Sequence, residues 1–369
     1  MFTSFRGVLS ATLASMLFLF RRLIRNNQTK FIDTISFVMI DCLRFVLGNI
    51  SVYLIKGDAQ LYKNRYLVSF SEHLSYYTVW WDKYTLEKRN NGLWIADRGF
   101  KIPAFKSKEW NHIVVVFWIH GGGFCVGSCR SMAPAHAKVI KKFNSKTDNI
   151  KLVYFAVEYP LAPEAALIDI KKDCLKEFYW LLDTVGVCKV VVGGDSAGGN
   201  LALGLIRDLS ESNRRVPQLI SSFFVSPLVD LSLSTPQEQL QKLSQTTDFL
   251  DVEMLKVWIN CALYQSITMP NGKEHLKKDP NFSPSFSKHV LLPDPLIIYS
   301  DGEILGHGIQ EWISKYKNQS SITILNEPGM PHDYVLFGSL MHPSSSIGFR
   351  SNFGLDLIAN HILKSAPTS

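Results

Sequence analysis

The sequence predicts an α/β fold in which a mostly parallel central sheet carries helices on both faces. From residue 92 onward, short apolar runs alternate with helical patterns, and this alternation is typical of such sheets. Two of the runs, His112–Ile119 and Leu152–Val157, are continuously apolar, as expected for strands that are buried on both faces. The chain has 369 residues, of which 46% are hydrophobic and 19% are charged. This balance allows a large core and excludes a disordered protein.

The predicted elements follow one another through residues 92–365. The first two strands, Gly92–Asp97 and Phe100–Phe105, are expected to pair with each other. Further strands are expected at 112–119, 152–157, 189–192, 219–225, 296–300 and 322–325, and helices at 164–185, 197–209, 309–317 and 353–363. Residues 231–290 interrupt the alternation, with a helical pattern only around Val252–Leu263. We interpret residues 231–290 as an insertion over one edge of the sheet.

Positive charge is concentrated at the N-terminus. The formal net charge is +7, and residues 1–30 hold five basic residues and no acidic one. As a helix, the uncharged stretch Gly7–Phe20 would reach roughly 21 Å, against roughly 30 Å for the hydrocarbon core of a bilayer. With flanking apolar residues and snorkelling arginines, residues 1–30 are predicted to be an uncleaved membrane anchor; a cleaved signal peptide and a surface-lying helix are the alternatives. Because the remaining chain is nearly neutral, nucleic acid is not expected as a partner.

Residues 31–91 are predicted to form an amphipathic, helical N-terminal region. In Phe31–Ile55 the charged residues Asp33, Asp41 and Arg44 fall within about 80° of one another on a helical wheel, which leaves the other faces apolar. We interpret this helix as packing over the catalytic domain as part of a cap, and a second membrane contact is the alternative.

The cysteines do not indicate a metal or disulfide framework. Six cysteines in 369 residues, with no CxxC pair, are too few for a disulfide scaffold and lack the spacing of a structural zinc site. No metal and no organic cofactor are predicted.

A GxSxG motif, Gly194-Asp-Ser-Ala-Gly198, follows a predicted strand and opens a predicted helix. In this context the motif is typical of a serine nucleophile, because a strained turn lifts the serine Oγ clear of the sheet. The residues two before and two after the serine crowd the neighbouring strand and helix, so they must lack a Cβ atom. We therefore predict Ser196 as the nucleophile, and Asp195 beside it as a structural acceptor of N–H bonds.

A glycine-rich loop, His120-Gly-Gly-Gly123, follows the apolar strand upstream. Glycines allow backbone N–H groups to approach a carbonyl oxygen and to stabilise the oxyanion of a tetrahedral intermediate. The predicted donors are the N–H groups of Gly122 and Gly123, joined by that of Ala197 after the nucleophile. Gly121 belongs to the same loop, and His120 is expected to brace it. A phosphate loop would carry GK[ST] or GxGxxG opening a helix, and neither motif occurs.

With these motifs the chain resembles the hormone-sensitive-lipase type of carboxylesterase, within the α/β-hydrolase fold. The matching segments occur in the family's order and are His120–Phe124, Tyr159–Glu164, Gly194–Asn200, Ser226–Asp230 and Gly329–Asp333. The resemblance covers about residues 92–365 and implies that they form an α/β-hydrolase catalytic domain. Within the family, the N-terminal anchor and the divergent flanks look most like the fungal steryl acetyl hydrolases, and the arylacetamide deacetylases come second.

The resemblance also implies the other two members of a catalytic triad. His332 occupies the place of the family's catalytic histidine, and the order serine, acid, histidine is the one expected for this fold. The acid should follow the strand at 296–300, where Asp301 and Glu303 both stand. The family typically has Asp-x-Leu and a further acid; here Glu303-Ile-Leu takes that place and His307 replaces the second acid. Since glutamate serves this role in other α/β-hydrolases, Glu303 is predicted as the acid and Asp301 is the alternative.

These observations predict a membrane-anchored serine carboxylesterase that hydrolyses short-chain acyl esters, above all acetyl esters, of lipophilic alcohols such as sterols. An arylacetamide deacetylase-like amidase and an acylglycerol lipase are alternatives with the same chemistry. A non-catalytic ligand receptor on a hydrolase fold is an alternative of another class, against which the presence of Ser196 and His332 argues. The expected partners are a lipophilic ester and, through the N-terminal segment, a membrane; no oligomeric state is predicted.

The two indications of cellular location conflict. Positive charge after the anchor favours a cytosolic catalytic domain, whereas resemblance to the anchored family members favours the lumen of the endoplasmic reticulum. The prediction adopted is a single-pass protein of the endoplasmic-reticulum membrane with a lumenal catalytic domain.

Overall fold

The central feature of the fold is an eight-stranded sheet. A computed structural model describes residues 84–212, 214–264, 272–287, 291–316, 322–341 and 343–366. The strands are β1 (Thr85–Arg89), β2 (Gly92–Ala96), β3 (Ile113–Ile119), β4 (Lys151–Val157), β5 (Val190–Asp195), β6 (Leu219–Val225), β7 (Pro295–Tyr299) and β8 (Thr323–Asn326). Their order is β1-β2-β4-β3-β5-β6-β7-β8. The β1–β2 and β2–β4 pairs are antiparallel and the others are parallel, so the prediction of a mostly parallel sheet is confirmed.

The middle of the sheet is buried on both faces. Every residue of β3 and of β5 is buried, and only the first residue of β4 is partly exposed. Successive side chains of a strand point to opposite faces, so a strand that is buried throughout must be covered on both sides. This explains why the sequence of β3 reads as an unbroken apolar run.

Helices cover the sheet. They are α1 (Ala133–Asn144), α2 (Leu167–Trp180), α3 (Ser196–Glu211), α4 (Gln237–Thr246), α5 (Val252–Leu263), α6 (Gly272–Lys277), α7 (Gly306–Ser314), α8 (Tyr334–Phe337) and α9 (Ser346–Ser365). α3 packs on β3, β5 and β6 and contacts α2, whereas α9 packs on β6 and β7 and contacts α1 and α8. α9 begins earlier than predicted because Ser345 caps it, its Oγ accepting a hydrogen bond from the Gly348 N–H at 3.0 Å.

One strand prediction is wrong. Phe100–Phe105 forms no strand, and β2 pairs with β1 and β4 instead. Asn90 adopts a φ of +51° and allows a tight two-residue turn between β1 and β2. Pro103 lacks the N–H that a strand would need. The sheet therefore includes residues 85–89, which the sequence analysis assigned to the region before the catalytic domain.

The segment predicted as an insertion lies between β6 and β7. It contains α4, α5 and α6, and α5 has the bounds that the sequence pattern predicts. Asp251 caps the N-terminus of α5, because its carboxylate accepts a hydrogen bond from the Met254 N–H at 3.0 Å.

The predicted N-terminal anchor at 1–30 and the amphipathic helix at 31–55 lie outside the described residues. In the part of the chain that the structure describes, no helix has both the length and the apolar character needed to span a bilayer.

Candidate active site

The predicted site residues lie on loops at one edge of the sheet. The loop His120–Gly123 follows β3, Ser196 follows β5, Glu303 follows β7 and His332 follows β8. These strands are parallel, and the carboxyl ends of parallel strands meet at the same edge. Residues that are more than 200 positions apart in the sequence are thereby gathered in one place.

Ser196 occupies a strained turn between β5 and α3. Its φ is +50°, in the left-handed region that a serine rarely adopts. A Cβ atom on Gly194 would lie 2.5 Å from the carbonyl oxygen of Gly198, and one on Gly198 would lie 2.0 Å from that of Ile119. The crowding that the sequence analysis expected at these two glycines is therefore present.

The glycine-rich loop adopts a backbone that only glycine accommodates. Gly122 and Gly123 have φ values of +104° and +59°. A Cβ atom on Gly122 would lie 2.1 Å from the carbonyl oxygen of Val126, and one on Gly123 would lie 2.1 Å from the Trp258 ring of α5. The insertion thus packs directly against this loop. Ala197 lies in the first turn of α3, where backbone N–H groups have no partner within the helix.

Asp195 and His120 hold this loop in place. The Gly121 N–H donates to Asp195 Oδ1 at 2.9 Å, and burial raises the pKa of Asp195. His120 Nδ1 lies 2.8 Å from the Gly121 carbonyl oxygen, and its ring stacks on Tyr159 at 4.1 Å. The Tyr159 hydroxyl donates to the His120 carbonyl oxygen at 2.7 Å. Burial lowers the pKa of His120, so this imidazole is a neutral brace.

His332 and Glu303 form a buried pair. The Nδ1 atom of His332 lies 2.7 Å from Glu303 Oε2, and Oε1 of the same carboxylate accepts the Ser300 N–H at 2.9 Å. Burial raises the pKa of Glu303, and its bond to His332 offsets part of that effect. A carboxylate at Nδ1 fixes the tautomer that leaves Nε2 to act as a base.

The other ring nitrogen of His332, Nε2, has a different neighbour. Between the described residues Ser196 and His332 there is no hydrogen bond, and Nε2 lies instead 3.1 Å from Asp333 Oδ2. Burial opposes a charge on His332, but the carboxylates of Asp333 and Glu303 outweigh it, so the pKa of His332 lies well above its usual range. No sequence argument singled out Asp333.

The alternative acid lies away from the His332 ring. Asp301 is exposed, and its Oδ1 accepts the Gly329 N–H at 2.7 Å, which ties the acid loop to the histidine loop. His307, in the place of the family's second acid, lies on α7 with its Nε2 atom 3.3 Å from Glu311. Neither residue contacts the histidine ring, so the geometry favours Glu303.

Asp248 is a residue of this site that sequence reasoning missed. It is fully buried in the insertion before α5. Its Oδ2 accepts the Ile304 N–H at 2.7 Å, and its Oδ1 accepts the N–H groups of His332 and Leu250, both at 3.2 Å. One carboxylate therefore holds the backbone of the loop that carries Glu303 and of the loop that carries His332. No local motif marks it, because its partners lie 56 and 84 residues away.

Replacing Asp248 with alanine is expected to lower kcat at least tenfold with little change in KM. The substitution leaves three backbone N–H groups without their acceptor, at about 1–3 kcal/mol for each buried group. The matched control is Asp251→Ala, which removes a helix cap in the same segment at about 1 kcal/mol but contacts neither triad loop. Steady-state kinetics and urea unfolding of both variants test this. Equal kcat values in the two variants would contradict a positioning role for Asp248.

Comparisons with known proteins identify the family of this fold. The family described as alpha/beta hydrolase fold matches residues 116–336, which are more than half of the chain. The chain belongs to this family. The match begins in β3 and ends in α8, so this α/β-hydrolase core includes every loop of the candidate site.

The chain matches the curated relatives named here over less than two thirds of their length. The chain is 27% identical over 234 residues to an AB hydrolase superfamily protein of Schizosaccharomyces pombe, covering 61% of this chain and 64% of the relative. It is 30% identical over 193 residues to an esterase of Acinetobacter venetianus, covering 52% and 57%. Among solved structures, the hormone-sensitive-lipase homologue EstE7 from a metagenome library has a TM-score of 0.64 at 20% identity, covering 88% of this chain and 99% of EstE7. That last likeness concerns the fold.

Proposed function

We propose that the protein is a serine carboxylesterase. Ser196 Oγ attacks the ester carbonyl carbon, and His332 Nε2 takes the hydroxyl proton and then delivers it to the leaving alcohol. Glu303 orients the imidazole and stabilises the imidazolium. The N–H groups of Gly122, Gly123 and Ala197 hold the oxyanion, each such donor being worth about 3–4 kcal/mol of barrier. Water then hydrolyses the acyl-enzyme, so the cycle needs no metal and no organic cofactor.

The observation that carries this proposal is the serine turn beside a carboxylate–histidine pair. Ser196 is held at a φ of +50° at the carboxyl end of β5, and His332 Nδ1 lies 2.7 Å from Glu303 at the same edge. The strained turn projects the serine hydroxyl from the sheet, and an oriented base can activate it, since a hydroxyl is a poor nucleophile without a base. The name of the Acinetobacter relative, an esterase, agrees with this reaction class.

The substrate that we propose is a short-chain acyl ester, above all an acetyl ester, of a lipophilic alcohol such as a sterol. The aromatic side chains next to His332 are evidence in favour of an apolar alcohol as the leaving group. The Phe249 ring meets the His332 ring edge-on at 5.8 Å, and Phe337 lies 5.4 Å from Phe249. Apolar rings packed next to the base suit a leaving group without charge. We further propose that residues 1–30 anchor the protein in the endoplasmic-reticulum membrane with a lumenal catalytic domain.

Substrate profiling of the full-length protein tests this function. We expect acetylated sterols to have a kcat/KM at least tenfold higher than those of glyceryl esters and arylacetamides, with p-nitrophenyl acetate as a reference ester. Preference for glyceryl esters would indicate an acylglycerol lipase, and preference for arylacetamides an amidase; either would overturn the sterol assignment and keep the triad. Failure to hydrolyse any ester or amide, together with failure of Ser196 to react with a fluorophosphonate, would overturn the enzyme assignment in favour of a ligand receptor.

A further inference from the structure

Asp333 places a carboxylate next to Nε2 of His332. Its Oδ2 lies 3.1 Å from His332 Nε2, the nitrogen that must accept the Ser196 proton in the proposed mechanism. The backbone holds Asp333 there: its φ is +51°, and its N–H donates to Ser226 Oγ at 3.2 Å. The side chain is buried, and its Oδ1 has no hydrogen-bond partner within the described residues. A buried carboxylate in this position therefore has one strong partner, the His332 ring.

This arrangement stabilises the wrong protonation state for the first step of catalysis. A carboxylate accepts hydrogen bonds, so Glu303 at Nδ1 and Asp333 at Nε2 are both satisfied only when both ring nitrogens carry protons. A general base, by contrast, needs a free lone pair on Nε2. The ring is thus held between two acceptors as an imidazolium, and Ser196 has no base until that proton leaves.

The other charged groups around the ring act in the same direction or are weaker. Glu303 after β7 and Asp248 from the insertion both face the histidine, and Asp195 at the end of β5 faces both His332 and Asp333. Burial disfavours the charged form of each of these three carboxyls and so raises its pKa. Both carboxylate oxygens of Asp248 also accept hydrogen bonds from backbone N–H groups. Asp333 is the carboxylate that directly contacts Nε2, and no lysine or arginine of the described residues forms an ion pair with it.

We propose that Asp333 is a positioning residue that holds His332 as an imidazolium in the resting enzyme and thereby restricts hydrolysis to the alkaline side of neutrality. This inference rests on the proposed function. As the pH rises, the Nε2 proton passes to solvent, the lone pair becomes free and Ser196 gains its base. When His332 then takes the serine proton, Asp333 and Glu303 together stabilise the imidazolium that forms. The same carboxylate thus suppresses the resting base at low pH and stabilises the charged intermediate at high pH.

The sign of the pH dependence follows from the protonation state. The active form is the neutral imidazole, so kcat/KM falls tenfold for each pH unit below the pKa of His332. This fall is the acid limb of the pH–rate profile, and a raised pKa of His332 moves it to higher pH. Removing the Asp333 carboxylate lowers that pKa, so the acid limb moves back to lower pH and the relative activity at low pH increases.

The experiment compares the acid limbs of Asp333→Asn and Asp333→Gly with that of the wild type. Both replacements tolerate the left-handed backbone; the first keeps the side-chain shape and the second removes the side chain. With p-nitrophenyl acetate and the full-length protein, we expect both limbs to move down by at least one pH unit. Activity at a pH below the wild-type limb, relative to each variant's own plateau, should rise about tenfold or more. Asp301→Asn removes a nearby carboxylate that does not contact the ring, and its limb should stay in place.

A second measurement does not depend on turnover. In Ser196→Ala protein with ¹³C-labelled histidine, the His332 ring can be titrated by NMR and assigned with His332→Gln. We expect it to titrate at least one pH unit lower when Asp333→Gly is added. An unchanged acid limb and an unchanged titration would overturn the role of Asp333 while hydrolysis and fluorophosphonate labelling persist. Loss of hydrolysis and labelling in the wild type at every pH would overturn the proposed function instead, and the titration would still report on Asp333.

Discussion

Replacing Ser196 with alanine is expected to reduce kcat/KM for p-nitrophenyl acetate by about 10⁴-fold or more. The substitution removes the atom that forms the acyl-enzyme, and neither His332 nor the oxyanion loop can replace it. Some acceleration over water should remain, because backbone N–H groups still stabilise an oxyanion when water attacks directly. The same variant should lose all labelling by a fluorophosphonate, which reacts with activated serines. Initial rates and in-gel labelling of the purified full-length protein measure both effects.

The control for this experiment is Ser314→Ala. Ser314 is exposed at the end of α7, and its hydroxyl donates to the Glu311 carbonyl oxygen at 2.7 Å. This contact involves no residue of the candidate site. It should keep the rate and the labelling of the wild type. Equal rates in Ser196→Ala and Ser314→Ala would show that another residue carries the nucleophile.

Replacing Glu303 with glutamine is expected to reduce kcat by about 10³–10⁴-fold. Glutamine keeps the shape of the side chain, but its amide carries no charge to stabilise the imidazolium and can present a donor to Nδ1. The histidine then loses the tautomer that leaves Nε2 as the base. Because the side chain is fully buried and similar in volume, the effect on KM should be small. Pre-steady-state acylation and steady-state kinetics on the same ester separate kcat from KM.

The matched variant is Asp301→Asn, which changes the other candidate acid in the same turn. Asp301 accepts the Gly329 N–H through one oxygen, and asparagine keeps an oxygen for that bond, so kcat should stay within about threefold of the wild type because the hydrogen bond is conserved. Thermal unfolding of both variants checks that the loop is intact. The reverse pattern, with activity kept in Glu303→Gln and lost in Asp301→Asn, would assign the acid to Asp301.

The sequence predicted the strands and the serine turn that carry the candidate site, because these features depend on residues that are close together in the sequence. The unbroken apolar runs of β3 and β4 identify buried strands, and a glycine-flanked serine between a strand and a helix identifies the nucleophile turn. Both patterns are local, since a few consecutive residues decide burial, backbone conformation and steric room. The strand at Phe100–Phe105 was predicted wrongly for a related reason. Strand propensity is local, but pairing depends on which segment lies against the edge of β2, and the turn at Asn90 places β1 there.

The choice between Glu303 and Asp301 illustrates where local rules end. Both carboxylates follow the same strand within three residues, and motif alignment can only favour one. The folded loop separates them: Glu303 turns inward and meets His332, while Asp301 turns outward and binds the Gly329 backbone. That difference depends on the direction of the chain after β7 and on a loop that arrives from β8.

By itself, the sequence determined the α/β-hydrolase class and located the serine turn, the glycine-rich loop and His332, because motif spacing and hydrophobic pattern encode them along the chain. Only the tertiary structure decided how these parts are held. Asp248 anchors the loops that carry Glu303 and His332 from an insertion that carries no motif, and Asp333 contacts Nε2 of His332 because a left-handed backbone turns its side chain back onto the ring. Such contacts depend on distances between loops of different strands, and those distances exist only once the sheet has brought the loops to one edge.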